Sequence, residues 1–417
     1  MAITIQDQPS TTYIRPAFAP IEYLLSSTNT AESGFRIVCK IYLNPAGANT
    51  LISTQQISTR PSSTQSVLSI QDIVKSFVES QYSLLDGDTV DVSTTALNYF
   101  RVVFQEYYDN ALQGSTVTSS TIPVYNASPT YIEFATNKYQ NYQLATSSFY
   151  SGIGTRLLSS FDNTKDVFFG FSSNDRFMKV KPDQKMQMQW LQRDSASNFQ
   201  VWLITLDANF ATIQVSKLDI GLTAQNYYSL DIGRQELPDH SWAVAANFTN
   251  CKYYGIVVYD EFTLELASKV YLYELDDCDT NYTEYELHYL NSKGGFDSFV
   301  FDGKSREETN ISKTLAKYSA NRVSGTSLNY STSAQRTRPF DTSLSDVYSI
   351  NSRLLTDFEM DGLKDLATSP EVYWRNESGF VSVNIEAQTY ERKKSEDGKV
   401  FSLALQMTVD NSDKRQW

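Results

Sequence analysis

The sequence predicts a mainly β protein built from tandem antiparallel β-sandwiches, and three observations support this fold class. The chain is rich in aromatic residues, with 27 Tyr and 23 Phe, which favour strands together with Thr and Val. Short segments with apolar residues at every second position recur along the chain and are separated by turn-rich links. The length of 417 residues exceeds one ordinary core and indicates two to four domains.

Residues 1–128 are predicted to form a sandwich that resembles a fibronectin type III domain in architecture. One short amphipathic helix over residues 69–81 interrupts it, because its apolar residues follow helical spacing. Ser69 is the expected N-cap, with Asp72 at the third helical position. The candidate strands are 21–27, 35–43, 50–58, 99–108 and 120–126.

Residues 129–285 are predicted to form a second antiparallel sandwich, of plain or jelly-roll type. Its first long strand, 185–193, places Met186, Met188 and Trp190 on one face and glutamines on the other. The further candidate strands are 199–207, 227–233, 253–260 and 269–277.

Residues 286–417 are predicted to form a β-barrel or sandwich flanked by one helix. Residues 309–345 are polar and poor in core-forming side chains, so they are predicted to be a long extended arm, which is more often an interaction segment than part of a core. A helix follows, with Thr356 as N-cap and Pro370 after its end. Two long strands, 379–394 and 399–411, are expected to leave a sheet edge that pairs with a neighbour.

A glycine-rich stretch at residues 290–307 is the most distinctive motif of this last region. Gly294 and Gly295 are predicted to form a turn that launches a two-sided buried strand, and Asp302 and Gly303 a second turn. A phosphate-binding loop is disfavoured because the spacing G-x-x-x-x-G-K-[ST] is absent and a strand follows. A cation held by Asp297 and Asp302 is disfavoured because a separation of five residues puts them on opposite faces of a strand.

Charge and cysteine content limit the partners and the compartment. The net charge of −13 disfavours nucleic acid as a partner. The three cysteines, Cys39, Cys251 and Cys278, are predicted to be buried thiols of a protein made in a reducing cytoplasm. Neither a signal peptide nor a membrane-spanning segment is recognisable.

The sequence predicts no catalytic, metal or cofactor site. Two histidines, His240 and His288, are too few for most His-based chemistry. Three alternatives stay open: a pair of carboxylates in a glycosidase-type cleft, calcium at residues 86–91, and sugar stacking on exposed tryptophans. The tryptophans concerned are Trp190, Trp202 and Trp242.

Both ends of the chain resemble virion structural proteins of tailed phages that infect Bacteroidetes-type bacteria. The N-terminal match is RPAFAPIEYLLSSTN at residues 15–29. The C-terminal matches are QRTR at 335–338, SPEVY at 369–373, VNI at 383–385 and RQW at 415–417. The turn LN…GGFD at 290–297 fits the same group.

The resemblance implies a tail-tip or baseplate component, with other tail proteins as partners and a virion location after synthesis in the host bacterial cytoplasm. The strand-rich composition without clustered catalytic residues suits a non-enzymatic part that needs no cofactor. The order of one helix, SPEVY and two long strands also resembles a tail-tube barrel, which stacks into rings, so a homo-oligomeric ring is expected. The acidic charge and the absence of a recognisable membrane span disfavour nucleic acid and membrane as partners. The residues predicted to serve assembly are Lys317, Arg322, Arg336, Arg338 and Trp417. A carbohydrate-binding or glycan-cleaving β-protein is the alternative, and a capsid decoration or neck protein is a further one.

Overall fold

The structure is a computed structural model, and it describes most of the chain. The described residues are 3–43, 49–61, 63–80, 90–93, 95–144, 155–193, 196–222, 226–235, 237, 248, 250–278, 281–317, 321–324, 326–330, 337–377, 379–386, 402–409 and 414–416. Strands make up 53% and helices 9% of the molecule, so the mainly β fold class is confirmed. In these ranges no sheet closes into a barrel.

The described residues before 126 contain ten strands, and all of them except β7 form two main sheets. They are β1 (Ile3–Asp7), β2 (Arg15–Pro16), β3 (Glu22–Ser27), β4 (Arg36–Leu43), β5 (Thr50–Ile57), β6 (Gln65–Ser69), β7 (Asp91–Ser93), β8 (Leu97–Tyr108), β9 (Ala111–Thr118) and β10 (Ile122–Tyr125). One sheet has the order β1-β3-β6 and the other β2-β10-β8-β4-β5, with β9 also on β8. Tyr23 and Leu25 of the first sheet share one core with Phe100 and Phe104 of the second, as in a sandwich.

The helix predicted over residues 69–81 is shorter than expected. Helix α1 covers Gln71–Val74, a 3-10 turn covers Lys75–Phe77, and the chain is extended at Val78. The N-cap is Ile70 and makes no side-chain cap bond, so the assignment of Ser69 is wrong. The helical spacing instead serves burial, because Ile70, Val74 and Val78 all enter the core of the sandwich.

The described residues between 126 and 276 contain ten further strands. They are β11 (Gln143–Leu144), β12 (Thr164–Lys165), β13 (Met178–Val180), β14 (Gln187–Gln192), β15 (Ala196–Leu206), β16 (Thr212–Leu222), β17 (Asn226–Asp231), β18 (Tyr253–Asp260), β19 (Glu265–Leu266) and β20 (Val270–Leu275). A short helix, α2, covers Tyr131–Ala135. The two sheets run β11-β14-β17-β7 and β12-β20-β18-β15-β16, with β13 on β20 and β19 on β18. Strand β14 does not have the predicted polar face, since Gln189 and Gln192 are buried along with Met188 and Trp190.

The described residues from 285 onward contain ten strands and one helix. The strands are β21 (Tyr285–Leu290), β22 (Phe296–Phe301), β23 (Arg306–Lys317), β24 (Asn321–Ser324), β25 (Ser327–Tyr330), β26 (Thr337–Asn351), β27 (Val372–Asn376), β28 (Gly379–Ile385), β29 (Ala404–Val409) and β30 (Lys414–Gln416). Helix α3 covers Asp357–Thr368, and its predicted cap is present: the backbone N–H of Thr356 donates to Glu359 Oε2 at 2.8 Å. Pro370 follows the helix end, as predicted.

These strands form an open eight-stranded sheet and a separate two-stranded sheet. The sheet order is β22-β21-β27-β28-β29-β26-β23, with β30 also on β26, while β24 pairs with β25 in a separate two-stranded sheet. Strand β28 has β27 on one side and β29 on the other, so the edge predicted for residues 379–385 is occupied. The predicted turn at 395–398 lies outside the described residues.

The predicted arm contains regular secondary structure. Strands β23 and β26 pair from Arg306–Ser349 to Lys317–Thr337 with one register shift, so the described part of the predicted arm is a paired two-stranded element, the β23–β26 hairpin. The strands lack the alternating apolar pattern because β23 is exposed on both faces along almost its whole length. Alternating apolar and polar residues indicate a strand with one buried face. This hairpin has few buried residues, so the alternation is absent.

Contacts along the chain define two compact units. The first comprises Met1–Asp277, Leu290–Ser298 and Asp361–Asp365, and the second comprises Cys278–Tyr289, Phe299–Met360 and Leu366–Trp417. The domain boundaries predicted after residues 128 and 285 stay predictions.

The cysteines lie in different environments. Cys39 and Cys251 are buried, as predicted, whereas Cys278 is exposed, which corrects the expectation for that residue. Burial raises the pKa of Cys39 to about 12 and that of Cys251 to about 11, so both are protonated thiols near neutral pH.

Candidate functional site

The glycine turn of the first unit is tightly enclosed by its surroundings. Gly294 has φ +88°, the left-handed conformation expected of a turn glycine, and a Cβ there would lie 2.3 Å from Asn126 O. Gly295 has no room either, because a Cβ would lie 2.0 Å from Leu158 O. Both positions therefore require glycine, one for conformation and space and the other for space alone.

Asn291 closes this turn through both ends of its side chain. Its Oδ1 accepts from the backbone N–H of Lys293 and of Gly295, at 2.9 and 3.2 Å. Its Nδ2 donates to Leu158 O at 2.9 Å and to Asp297 Oδ2 at 2.8 Å. One buried side chain thus fixes the turn and orients the carboxylate that follows it.

Asp297 is buried and accepts hydrogen bonds from a second segment of the chain. Its Oδ1 accepts from Ser159 Oγ at 2.7 Å, and its Oδ2 accepts from the Ser160 backbone N–H at 2.8 Å and from Ser160 Oγ at 2.6 Å. Burial raises the pKa of this carboxyl above its usual range, although the hydrogen bonds act in the opposite direction.

The cavity beside Asp297 is too small for an organic substrate. Its volume is about 20 Å³, close to that of one water-sized probe. Among its lining residues are Ser159, Gln189, Tyr273 and Asp297. The described side chains here form a hydrogen-bonded structural core, because the carboxylate oxygens are already taken by protein donors.

The second predicted turn, Asp302 and Gly303, lies in the other unit. The backbone N–H of Arg353 donates to Asp302 Oδ1 at 3.1 Å, and the N–H of Gly303 donates to Asn351 O at 2.8 Å. A Cβ at Gly303 would lie 2.7 Å from Asn351 O, so close backbone approach explains the glycine. Asp297 and Asp302 thus have separate sets of partners.

A buried ion-pair cluster in the second unit was missed by the sequence reading. His288 Nε2 and Glu286 Oε1 are 2.7 Å apart, and Arg375 Nη1 donates to Glu286 Oε2 at 2.7 Å. Burial alone would raise the pKa of Glu286, but the His288 hydrogen bond and the nearby positive charges hold it below its usual value. The signal was partial: residues 286 and 288 share a strand face, whereas Arg375 is brought opposite Glu286 only by the pairing of β21 with β27.

An open cavity of about 470 Å³ lies at the surface of the second unit. Its lining residues are Asn281, Tyr282, Asp302, Gly303, Arg353 and Leu354. Tyr282 and Leu354 are 52% and 64% exposed, so this surface combines an accessible aromatic ring with amide, carboxylate and guanidinium groups. Such a combination suits a polar ligand with an apolar face.

The tryptophans considered for sugar stacking are buried, packed against other side chains, or outside the described residues. Trp190 is fully buried. Trp202 stacks on Tyr259 with ring centroids 4.0 Å apart, and Lys217 Nζ lies 4.1 Å from the Trp202 ring. Trp242 lies outside the described residues, as do His240 and the part of the calcium candidate from 86 to 89.

The predicted assembly residues lie on β23, β24 or β26, or outside the described part of the chain. Lys317 ends β23 and is exposed, and Arg338 is exposed on β26 opposite Ala316. Arg322 lies on β24, but its side chain is not described. Arg336 and Trp417 are outside the described residues. The structure therefore brings Lys317 and Arg338 to one end of the same two-stranded element.

The base of this hairpin is anchored by aromatic packing. Tyr285, Tyr348 and Trp374 pack with ring centroids 5.2–6.0 Å apart, and Tyr285 Oη donates to Glu307 Oε1 at 3.2 Å. Beyond that base the outer strand has no buried residue, so it presents both faces to solvent.

The part of the chain that the structure describes contains no group of three or more His, Cys, Asp or Glu side chains placed to hold a metal ion. No described helix has the length and apolar character needed to span a membrane.

No family model matches this chain, and no curated protein matches it. Among solved structures it is similar to trypsin-activated α2-macroglobulin from Escherichia coli, at 10% identity and a TM-score of 0.19 over 97% of this chain and 21% of that one. Methylamine-reacted Salmonella α2-macroglobulin is similar at 9% identity and a TM-score of 0.18, over 96% of this chain and 23% of that one. The chain spans about a fifth of the length of these proteins, and likeness at this level carries no functional argument.

Proposed function

We propose that this chain is a non-enzymatic structural component of a tailed phage virion, at the tail tip or baseplate. The sequence resemblance at residues 15–29 and in the C-terminal quarter supports the class of protein. A mainly β architecture with several open sheets is compatible with it, because such modules bury their cores without a cofactor.

The observation that carries the proposal is the exposed hairpin of β23 and β26. It is 12 residues long on its outer strand, and Ile311 and Leu315 are each 59% exposed. A long, regular element with exposed apolar residues favours use as a contact surface. The proposed partners are other tail proteins and further copies of this chain in a ring, in a virion assembled after synthesis in the host bacterial cytoplasm.

Protein quantification in purified particles of the encoding phage tests the role. Peptides of the chain are expected to co-purify with the particles through a density gradient, at a fixed ratio to the tail proteins and in several copies per particle. Loss of the chain during the gradient, with the tail proteins retained, would contradict the proposal.

Glycan binding is a second candidate function, favoured by the 470 Å³ surface cavity with its exposed Tyr282 ring. Aromatic rings stack on sugar faces while amides and charged groups bind hydroxyls. A glycan array with the wild-type chain and Tyr282→Ala tests it. Tyr131→Ala is the matched control, since Tyr131 is 78% exposed in the other unit. Binding lost only in Tyr282→Ala supports this candidate, and no binding by the wild type removes it.

A further inference from the structure

The outer strand of the hairpin is an edge strand. Strand β23 is at one end of the eight-stranded sheet, and β26 is the only described strand that pairs with it. All of its residues are exposed except Ala316, which is half-buried. An edge of this kind presents a row of backbone N–H and C=O groups that can pair with another strand.

The same strand carries apolar side chains on one face. Ile311 and Leu315 are four residues apart and therefore point to the same side of the sheet. On β26 the register passes from Thr314–Asp341 to Leu315–Pro339, so Phe340 is an extra residue at a bulge and is 55% exposed. The bulge lies on the inner strand, which leaves β23 itself regular along its free side.

Charge is distributed unevenly along that face. Glu307 lies at the base of the hairpin, whereas Lys313 and Lys317 lie toward the tip. Successive side chains of a strand alternate between its two faces, and these three residues are separated by even numbers of positions, so their side chains share one face. The charges of this face are therefore complementary to those of a second, antiparallel copy of the same strand. The two lysines are notable in a chain whose net charge is −13.

We propose that two copies of this chain pair antiparallel through their β23 edges, with Glu307 of each copy opposite a tip lysine of the other. Residues that face each other in an antiparallel pair lie on the same side of the sheet, so a two-fold axis normal to the sheet must pass between identical residues. An axis at Asn310 brings Glu307 opposite Lys313, and an axis at Ser312 brings Glu307 opposite Lys317. This inference rests on the proposed assembly function and deepens it by naming the partner of the hairpin. A two-fold contact joins copies in pairs, so the contacts that close the proposed ring lie elsewhere on the chain.

Single cysteines at the two axis positions test the pairing directly. Opposed Cα atoms in an antiparallel pair lie about 4.5–5.5 Å apart, within reach of a disulfide. In a Cys278→Ser background, mild oxidation is expected to cross-link either Asn310→Cys or Ser312→Cys into a dimer. Thr314→Cys is the matched control on the same face, away from both axes. Cross-linking no stronger than that control at both positions overturns the proposal, as does cross-linking that peaks at Ile311→Cys, which places Glu307 opposite Leu315.

Charge reversal provides the second readout. Reversal of the lysine opposite Glu307, by Lys313→Glu or Lys317→Glu, is expected to weaken the dimer about tenfold, since two symmetry-related pairs become repulsive. Adding Glu307→Lys is expected to restore it, because the charges are then exchanged. Sedimentation of the full chain over a concentration series measures the change, and circular dichroism verifies the fold of each variant. A dimer indifferent to both reversals contradicts the charge pairing.

Failure of the dimer and failure of the virion role are separate results. The cross-link is measured on the isolated chain, and the virion role is measured on purified particles. A chain that never cross-links overturns the edge pairing even where particles contain it, whereas a specific cross-link supports the pairing even where particles lack the chain.

Discussion

Gly295 illustrates a residue whose identity is dictated by the space around it. Its conformation is available to any residue, yet a Cβ would overlap Leu158 O. We expect Gly295→Ala to lower the free energy of unfolding by about 3 kcal/mol, because either the turn or the 158 segment must shift. Gly34→Ala is the control: Gly34 has φ +70° but open space, so only about 1 kcal/mol of backbone strain is expected. Equal urea midpoints for the two variants would contradict the packing argument.

Asp297 is expected to make stability fall as pH rises through a window above the ordinary Asp pKa. Burial raises its pKa in the folded state, so between the unfolded and folded pKa values the folded chain binds the proton more tightly. The favourable contribution is complete below the unfolded pKa and is lost as pH passes the folded pKa.

The difference in unfolding free energy between the wild type and Asp297→Asn isolates this effect from other carboxyls. That difference should decrease from about pH 4 upward and level off once the folded-state pKa is passed. Urea unfolding at a series of pH values measures it. A difference that increases with pH would show that the hydrogen bonds from Ser159 and Ser160 outweigh burial.

For single residues, the sequence predicted the glycine turn but not the backbone atoms that pack against it. Paired glycines before an alternating strand are a local signal, readable without the rest of the chain. Asp297 is hydrogen-bonded to Ser159 and Ser160, which precede it in the sequence by 138 and 137 residues. No local pattern in a single sequence predicts a contact between segments this far apart.

Strands β21 and β27 are joined by a buried ion pair as well as by their backbones. Arg375→Met removes the cation beside Glu286, which is only 10% exposed, and is expected to lower the free energy of unfolding by about 3 kcal/mol. Arg306→Met is the control, since its pair with Glu308 is solvent-exposed and is worth at most about 1 kcal/mol. Thermal unfolding of both variants provides the comparison, and equal losses would refute the buried-pair account.

The hairpin of β23 and β26 is expected to be cut by trypsin in the isolated chain at dilutions where the chain is monomeric, and to be protected in the particle. Lys313 and Lys317 lie exposed toward its far end, where few contacts resist local opening. Lys313→Gln and Lys317→Gln identify the cleavage sites by removing their fragments. Equal protection in the isolated and assembled states would argue against a role in assembly.

The hairpin was also the element that the sequence described least well. Strands with one buried face, such as β3, show alternation because every second residue enters the core. Strand β23 has no such constraint, so its polar composition resembled that of a loop. Its secondary structure comes from pairing with β26 and not from burial, and pairing leaves little trace in composition.

For the whole molecule, composition was sufficient for the fold class and insufficient for the topology. Aromatic and β-branched enrichment with recurring turns predicted the strands, and helix α3 was recognisable from its cap and the following proline. The sheet orders, such as β7 joining β17, depend on contacts between distant segments. The proposed function has the same limit, because the motifs on which the proposed resemblance to phage virion proteins rests contain no chemistry from which a role can be derived.

Gold-labelled antibody against the chain, imaged by electron microscopy on purified particles of the phage proposed to encode it, tests the central claim most directly. The account predicts label concentrated at the distal end of the tail, in several copies per particle. Label on the capsid or neck would contradict the tail-tip assignment, and particles without label, in a preparation where the antibody recognises the purified chain, would contradict the virion role itself.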